Sequence, residues 1–557
     1  MSVHATHGRR RRPRAAIVAA MAVITSLAAL PAAASAAPKT AFVTDRGNST
    51  ADQYTIGTDG TLSFSGSASA GSEPWMQAVT PNGKYLYVAN YDGGGINQYS
   101  IGSSGTLTAL SSTPVATGGF PYGIAVSPDG HNVYVANSGS GSVGVYDIGS
   151  DGALTLAATV TTDLSEPAGV AVSPDGTSVY VGDLGKIVEF DRASDGTLTP
   201  KTVATVPSDF DGLGMVVISP DGTNVYTASA GSSLVDEYTV GSGGELTPKA
   251  TPSATTGTGL PYLYALTISP NGHNVYVPAY ENAVVYQFTV GTNGELTPMS
   301  PFTAPAGNGS IFLWPTANGS TAYVTNYGDG SVSQYNVSSE GALTPVSTPV
   351  LHGSELLSIV IPPDQSPVAK FTEKVAKAGK ATRFNGSQSS APDGTVESYH
   401  WNFGDGHRVT TSQATVSHTY RKAGKHKVTL TVTDDSGCST ALVFTGQTAY
   451  CNGSPAATIS HTVKVASAAK PLKVSVSPAS AKAGQMTCYA FTVTSKGKGV
   501  ARVTVKLAGR TARTSGGRAT LCLTLKKGTY TARARKSGYK TAAARIRVTA
   551  SSPVFTG

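Results

Sequence analysis

The chain repeats one short phrase, and the spacing of that phrase limits the folds that it can adopt. The phrase is a turn, usually Pro-Asp-Gly or Pro-Asn-Gly, followed by an alternating strand such as "NVYVAN". The turn glycines lie 47, 46, 46, 50 and 47 residues apart, at Gly83, Gly130, Gly176, Gly222, Gly272 and Gly319. A period of this length is typical of the four-stranded blades of a β-propeller.

A second turn predicts the number of blades. A Gly-x-Leu turn occurs seven times, at Gly60, Gly105, Gly152, Gly196, Gly244, Gly294 and Gly341. The first unit starts at "TAFVTD" (residues 40–45) without a preceding inner strand, and the repeats end on an unmatched strand, "ELLSIVIPPD" (residues 355–364). We expect this last strand to complete the first blade, because closing the ring hides sheet edges that would otherwise pair with other chains.

The "SPDG-x-x-VYVAN" phrase and its Gly-x-Leu-Thr hairpin resemble the YVTN-repeat propellers and the related seven-bladed lactonase family over residues 38–363. The resemblance implies a seven-bladed β-propeller. It says less about function, because one fold carries many activities. A hydrolase of this family is expected to place His, Arg and carboxylate groups on the inner-strand side of the ring.

Two further modules follow the repeats. "YHWNFGDG" (residues 399–406) and "SHTYRKAGKHKVTLTVTDDSG" (residues 417–437) resemble the polycystic kidney disease (PKD) domain over residues 367–466. This implies an Ig-like β-sandwich with Trp401 and Tyr420 in its core. We favour a structural role for Asp405 in the tight turn, because one carboxylate is too few for Ca²⁺.

The last segment, residues 471–550, contains short alternating strands and predicts a second small sandwich. "GTYTARARKSGY" within it resembles bacterial Ig-like and carboxypeptidase-regulatory-like modules. The predicted fold class is therefore all-β, with a seven-bladed propeller followed by two Ig-like β-sandwich domains.

All four cysteines lie after residue 430, two in each downstream module. Of the three possible connectivities, Cys438–Cys451 with Cys488–Cys522 requires no contact between modules, so we predict these two disulfides. No Cys-x-x-Cys motif or nearby His pair accompanies them, and we predict neither a metal site nor a cofactor.

The amino-terminal 36 residues predict an export signal. Several arginines precede an apolar run over residues 15–30 and a small-residue stretch that ends at Ala36, where we place cleavage. The run is too short to span a membrane comfortably, so we expect a secreted or cell-surface protein without a transmembrane segment. General and twin-arginine export both stay open.

The charge is divided unequally along the chain. Residues 37–366 hold 7 basic and 27 acidic residues, whereas residues 367–557 hold 29 basic and 6 acidic residues. The last 87 residues contain 17 basic residues and no Asp or Glu. We expect this end to bind an anionic cell-envelope polymer or polysaccharide, and nucleic acid only nonspecifically, with a solvated face or docking on the propeller as alternatives.

Variable residues precede each predicted inner strand and should surround one end of the central channel. We predict a ligand-binding funnel for a sugar, another small molecule or a cation. Its members are Glu73, Trp75, Tyr122, Glu166, Asp209, Asp211, Tyr262 and Trp314. The alternative is that these aromatic residues only pack between blades.

The preferred function is that of a secreted, non-catalytic binding or adhesion protein, with the propeller as recognition platform and the basic module as tether. A lactone or ester hydrolase is the alternative, and it would use His352 as general base together with Glu355. The acidic propeller argues against an anionic, phosphorylated lactone as substrate. A structural surface-layer component is a third class, which predicts self-assembly without ligand.

Overall fold

Strands account for nearly all of the regular structure in this protein. The computed structural model describes residues 39–209, 214–257, 261–346 and 349–551. The predicted export signal and Asp211 lie outside these residues. No helix in this part of the chain is long and apolar enough to cross a membrane.

Residues 39–360 form seven antiparallel sheets, which we number as blades 1 to 7 and describe from the channel outward. Blade 1 consists of Leu356–Val360, Lys39–Asp45, Thr50–Ile56 and Leu62–Ser69. Blade 2 consists of Pro74–Val79, Tyr85–Asn90, Gly95–Ile101 and Leu107–Ala109 with Val115–Ala116. Blade 3 consists of Pro121–Val126, Asn132–Asn137, Ser142–Ile148 and Leu154–Val160. A 3₁₀ turn, Ser138–Ser140, lies within blade 3.

Blades 4 to 7 repeat this order of inner strand, second strand, third strand and outer strand. Blade 4 consists of Val170–Val172, Ser178–Asp183, Lys186–Arg192 and Leu198–Pro207, and blade 5 of Gly214–Ile218, Asn224–Ser229, Leu234–Val240 and Leu246–Thr255. Blade 6 consists of Thr267–Ile268, Asn274–Ala279, Val284–Val290 and Leu296–Pro305. Blade 7 consists of Ser310–Pro315, Thr321–Asn326, Ser331–Val337 and Leu343–Pro345 with Val350–Leu351.

The ring closes as the sequence predicts. Leu356–Val360, the last strand of the propeller, pairs antiparallel with Lys39–Asp45, with Phe42 opposite Val360 and Val43 opposite Ile359. Blade 1 therefore combines both ends of the repeat region, and Leu356–Val360 covers the edge of Lys39–Asp45 that would otherwise be unpaired.

The repeated phrase forms the hairpin between the inner and second strands. In blade 3 the Asp129 carboxylate accepts hydrogen bonds from the Ser127 hydroxyl at 2.5 Å and from the His131 backbone N–H at 3.1 Å. Gly130 has φ +72°, which only glycine adopts easily. His131 itself is exposed, and the phrase builds the hairpin of the blade.

A tyrosine in the second strand joins six of the seven blades to the next, and Phe42 takes its place in blade 1. In blade 2, the Tyr87 hydroxyl donates to the Gly152 carbonyl in the Gly-x-Leu turn of blade 3, at 2.8 Å. Tyr134, Tyr180, Tyr226 and Tyr276 do the same across the following blades. Tyr323 donates to Gly60 at 2.7 Å and so bonds blade 7 to blade 1. These side chains are buried, and their hydrogen bonds repeat around the closed ring.

A second set of bonds between blades starts from the third strands. The side-chain oxygen of Gln53, Gln98, Gln287 or Gln334 accepts the backbone N–H of the leucine in the next Gly-x-Leu turn. Glu189 and Glu237 take this place in blades 4 and 5, at 2.9 Å from Leu246 and Leu296. Burial raises the pKa of each glutamate to about 7. Protonated, each carboxyl group resembles the glutamine of the other blades.

The PKD module is a sandwich of two sheets around Trp401, Tyr420 and other buried apolar residues. One sheet contains Thr372–Lys374, Ala381–Asn385 and Thr415–Thr419, and the other contains Arg408–Thr411, Val396–Asn402, Gly424–Asp434 and Thr458–Val465. A third small sheet joins Asp364–Gln365, Ala449–Asn452 and Val443–Phe444, followed by a 3₁₀ turn at Pro455–Ala457.

The carboxy-terminal module is also a sandwich, with its own core around Phe491 and Val505. One sheet contains Lys473–Ser477, Met486–Ser495, Lys498–Gly499 and Arg518–Thr524. The other contains Ser480–Lys482, Ala542–Thr549, Gly528–Arg535, Thr504–Leu507 and Arg510–Arg513. Both predicted disulfides are present, Cys438–Cys451 and Cys488–Cys522. The predicted fold class is confirmed.

Candidate functional site

The amino-terminal ends of the inner strands surround one end of the channel, which we call the mouth. Buried acidic residues at the ends of second strands hold the entry loops there. The Asp45 carboxylate accepts the backbone N–H groups of Ser354 at 3.1 Å and Glu355 at 3.4 Å. Asp183 holds Ser165 and Glu166 in the same way at blade 4. The mouth residues thus project from backbone that buried hydrogen bonds fix.

Arg46 connects three parts of the mouth. Its guanidinium donates to Glu73 at the start of blade 2, to Glu355 at the start of blade 1 at 2.8 Å, and to the Tyr327 hydroxyl of blade 7 at 2.7 Å. Both glutamate side chains are about one-third exposed. The pKa of Arg46 is raised, because these hydrogen bonds outweigh the lowering by burial. The result is a cation held between two carboxylates at the solvent boundary.

Aromatic rings continue from this cluster in two directions. Trp75 lies 5.1 Å from Tyr91 and 5.4 Å from Tyr122 between ring centroids, and Tyr91 lies 5.1 Å from Phe120. These four residues form the first aromatic run, on blades 2 and 3.

The second aromatic run starts at Tyr327 and extends over blades 7 and 6. Tyr280 lies 6.0 Å from Tyr327, Tyr264 lies 5.7 Å from Tyr280, and Tyr262 lies 6.4 Å from Tyr264. Phe120 and Tyr262, at the far ends of the two runs, are 46% and 38% exposed. The mouth therefore offers aromatic edges and faces on both sides of Arg46.

The opposite end of the channel is filled by the PKD module. The segment between Cys438 and Cys451 leaves that module and inserts its residues 443–450, which we call the plug, among the inner strands. Backbone N–H groups of Val126, Val172 and Ile218 donate to the carbonyls of Gln447, Gly446 and Thr445 at 2.9 to 3.0 Å. Blades 3, 4 and 5 thus bind the plug through backbone hydrogen bonds at the carboxy-terminal ends of their inner strands.

Side chains complete the insertion. The Gln447 amide donates to the carbonyls of Val170 at 3.1 Å and Val216 at 2.6 Å. The Val79 N–H donates to Thr448, and Tyr450 donates to Ile268 at 3.4 Å.

The plug is buried as deeply as the blade cores. Phe444, Ala449 and Tyr450 are at most 2% exposed, and they pack within apolar clusters of the propeller. A Cβ on Gly446 would lie 2.9 Å from the Cβ of Ala171, so glycine is required there. With the Tyr450 ring 4.8 Å from Trp314 in blade 7, the plug contacts six of the seven blades.

The structure distributes the predicted funnel residues over several places. Glu73, Trp75, Tyr122 and Tyr262 lie in the Arg46 cluster and the aromatic runs. Glu166 and Asp209 are exposed on the entry loops of blades 4 and 5, where their backbone N–H groups bind Asp183 and Asp236. Trp314 lies at the plug end.

The two residues that the hydrolase alternative would use are also separated. Glu355 belongs to the Arg46 cluster. The exposed imidazole of His352 stacks on Phe64 of the outer strand of blade 1, with ring centroids 3.3 Å apart. In the described residues, no hydrogen bond joins His352 to Arg46 or Glu355.

Sequence reasoning missed Arg46, Tyr91, Tyr280 and Tyr327 as mouth residues. All four occupy the same repeat position, directly after the second strand of their blade. The other blades have Ser138, Leu184 and Ala230 there. Aligning the repeats on this position, and not only on the inner-strand entries, would have found them.

The fold is that of a seven-bladed propeller similar to the lactonases, joined to a PKD domain. Residues 29–123 and 113–200 match the family model of the seven-bladed β-propeller lactonases, and residues 364–448 match the PKD domain. These matches confirm both resemblances noted in the sequence.

Solved structures agree on the propeller fold. A proposed 6-phosphogluconolactonase from Bacteroides fragilis is 20% identical with a TM-score of 0.52, covering 58% of this chain and 98% of that protein. The periplasmic gluconolactonase PpgL of Pseudomonas aeruginosa has 20% identity and a TM-score of 0.50, with the same coverage. At this identity the likeness shows the fold alone.

Two curated relatives match short stretches. The pre-pro-metalloprotease PrtV of Vibrio cholerae is 41% identical over 88 residues, which is 16% of this chain and 9% of PrtV. The collagenase ColA of Clostridium perfringens is 44% identical over 54 residues, 10% of this chain and 5% of ColA. This chain thus spans less than a tenth of either relative, and these matches suggest an extracellular setting for the PKD domain.

Proposed function

We propose that this protein is an extracellular binding protein that recognises a neutral, hydroxyl-rich ligand at the propeller mouth and attaches to an anionic polymer through its carboxy-terminal module. The observation that carries the first part is Arg46, held between Glu73 and Glu355 beside two aromatic runs. The observation that carries the second part is a basic sheet face, described below.

The polar groups of the mouth suit a neutral ligand. Glu73 and Glu355 compensate the charge of Arg46, so an anion would meet two carboxylates around one cation. A hydroxyl group can instead accept from a guanidinium and donate to a carboxylate. Aromatic rings beside such groups offer apolar faces to the C–H faces of a sugar ring.

Ligand binding at the mouth is tested by titrating a panel of neutral mono- and oligosaccharides by calorimetry. The partly exposed Tyr280 is replaced by alanine, and Phe64→Ala on the outer strand of blade 1 is the matched aromatic control. We expect at least about a tenfold loss of affinity in Tyr280→Ala and none in the control. Equal affinity in both variants would contradict a mouth site.

Lactone hydrolysis is the second candidate, and Arg46 beside Glu355 is what favours it. A guanidinium can stabilise a developing oxyanion, and a carboxylate can position or deprotonate water. His352 stacks on Phe64 instead of joining this pair. Turnover of neutral lactones that disappears in Glu355→Gln, with His352→Ala unaffected, would establish this activity and refute a binding-only mouth.

The basic face lies on one sheet of the carboxy-terminal module. Exposed cations alternate with buried residues along its strands, and they share the outward side. They are Lys506, Arg513, Arg533, Arg535, Arg545 and Arg547. Threonines lie opposite these cations on neighbouring strands. Thr504 is opposite both Arg513 and Arg535, Thr529 is opposite Arg547, and Thr531 is opposite Arg545.

Two features of this face favour a bound polyanion. Lys506 lies directly opposite Arg533, and like charges in such a pair repel each other. The module has no acidic residue to relieve this repulsion, whereas a polymer of phosphates or carboxylates would. The outward positions of the face carry Arg, Lys, Thr and Ala, without an aromatic ring to stack on a base, which favours an envelope polymer over single-stranded nucleic acid.

Attachment is tested with poly(glycerol phosphate) across a salt series. The triple variant Arg533→Gln, Arg545→Gln, Arg547→Gln removes three charges from the basic face. The control triple variant Lys473→Gln, Lys496→Gln, Lys498→Gln removes three charges from the other sheet and one of its hairpin turns. We expect the face variant to bind more weakly and with a shallower salt dependence than the control. Equal loss in both variants would show that only net charge matters.

A further inference from the structure

Three metal-ligating side chains meet on the PKD module, away from the propeller mouth. Asp405 and His407 belong to the turn between Val396–Asn402 and Arg408–Thr411, and His418 lies on Thr415–Thr419 of the other sheet. His418 Nε2 is 2.8 Å from Asp405 Oδ2, and His407 Nδ1 is 3.4 Å from Asp405 Oδ1. One ligand atom from each of the three residues lies within 4.8 Å of the others.

Two of the three groups are already oriented. The His418 ring stacks on Phe403 at 4.2 Å and 6°, meets Tyr420 edge-on at 4.6 Å, and its side chain is only 11% exposed. Asp405 Oδ1 accepts the backbone N–H of His407 at 3.2 Å. Packing and hydrogen bonds of this kind orient ligands in metal sites. His407 is 66% exposed, so its ring can adjust.

We propose that Asp405, His407 and His418 bind a divalent ion of the zinc type. Two imidazole nitrogens and one carboxylate suit Zn²⁺ and its transition-metal neighbours, whereas Ca²⁺ and Mg²⁺ require a shell of oxygen ligands. The sequence prediction weighed only calcium at Asp405 and found too few carboxylates. The ligands that join Asp405 in space are nitrogens, and one of them comes from a strand 13 residues away.

The distances are compatible with this ion. Ligands at about 2.0–2.1 Å from a tetrahedral Zn²⁺ lie about 3.4 Å from each other. His407 Nδ1 already lies 3.4 Å from Asp405 Oδ1, whereas His418 Nε2 lies 2.8 Å from the other carboxylate oxygen, Oδ2. The carboxylate and the His418 ring would therefore shift slightly as the metal replaces their hydrogen bond. Three protein ligands leave a position for water. The ion would also link the two sheets of the sandwich.

The test uses the full chain after removal of metal by chelation. Zinc uptake is measured by calorimetry, and the visible absorption of bound Co²⁺ reports a tetrahedral site. We expect His407→Ala to lose one equivalent of zinc, or to bind it at least about tenfold more weakly, together with the Co²⁺ signal. His131→Ala is the matched control, because His131 is similarly exposed and lies 3.6 Å from Asp129 in a turn of the propeller.

A second variant, Asp405→Asn, removes the carboxylate charge and should weaken zinc binding as well. Far-UV circular dichroism and the thermal transition without metal check that each variant is folded. Binding of any zinc elsewhere on the chain persists in every variant. Equal zinc stoichiometry and affinity in the wild type, His407→Ala and Asp405→Asn would overturn the proposal, and so would a wild-type chain that takes up no zinc.

Discussion

Glu189→Gln is expected to stabilise the propeller above pH 7 and to leave its stability near pH 4 unchanged. Glu189 is 1% exposed, and its carboxyl oxygen accepts the Leu246 N–H of the next blade. Four other blades use glutamine for this bond. Glutamine retains the acceptor and removes the cost of burying a charge. Lys201, the neighbouring cation, stays paired with Asp191 at 2.5 Å.

The magnitude follows from the pKa of Glu189, which burial raises from 4.5 to about 7. Between these values the folded carboxyl group keeps its proton while the unfolded one has lost it, so stability falls as the pH rises through this window. At about 1.4 kcal/mol per pKa unit, the loss reaches about 3 kcal/mol above pH 7. Glutamine does not titrate, and the variant should gain roughly this amount at pH 8.

Scanning calorimetry of the wild type and the variant at pH 4 and pH 8 measures the effect. We expect a higher Tm for Glu189→Gln at pH 8, by a few degrees, and equal Tm values at pH 4. Gln287→Glu is the reciprocal test, because it places a carboxyl group in the same position of blade 6 and should lower the Tm mainly at pH 8. A gain in Glu189→Gln that is equal at both pH values, or absent at pH 8, would refute the titration mechanism.

Three further perturbations address the plug and the blade contacts. Phe444→Ala empties a fully buried site between the plug and blades 3 and 4. It should lower the stability of the propeller by about 3–5 kcal/mol, measured by denaturant unfolding. The control Phe371→Ala should instead lower the stability of the PKD module. Replacing both Cys438 and Cys451 by serine should destabilise the plug by about 3 kcal/mol, seen as faster proteolysis between residues 438 and 451, and unchanged cleavage would contradict this. Arg192→Lys should cost at least 2 to 3 kcal/mol, measured as a lower unfolding midpoint, because lysine cannot replace four hydrogen bonds from one buried guanidinium, and a midpoint like that of the wild type would refute this.

The repeat period made the propeller predictable because each blade is specified locally. The Pro-Asp-Gly turn needs a positive φ at Gly130 and a capping carboxylate at Asp129, and both are visible in one blade's sequence. Ring closure was also predictable, since the unmatched strand at Leu356–Val360 had only one place to pair. Both disulfides could be paired because each joins cysteines of the same module.

The plug was not predictable from the PKD pattern. The sequence does contain an indication that this segment is buried. Residues 442–444 are Leu-Val-Phe and residue 450 is Tyr, and an exposed loop rarely concentrates such residues. Their partners are inner strands far earlier in the chain, such as Ile268 for Tyr450, 182 residues away. No local rule connects such distant segments, so the sequence alone does not place this segment in the channel.

The plug also restricts how a ligand can reach the channel. The carboxy-terminal ends of the inner strands already bind plug residues in blades 2 to 7, through Val79, Val126, Val172, Ile218, Ile268 and Trp314. A polymer therefore cannot thread through the ring, and a ligand must enter and leave at the mouth, past Arg46 and the aromatic runs. Under the proposed function, the mouth would suit a small molecule or the end of a chain, and contact along the length of a polymer would fall to the basic face of the carboxy-terminal module.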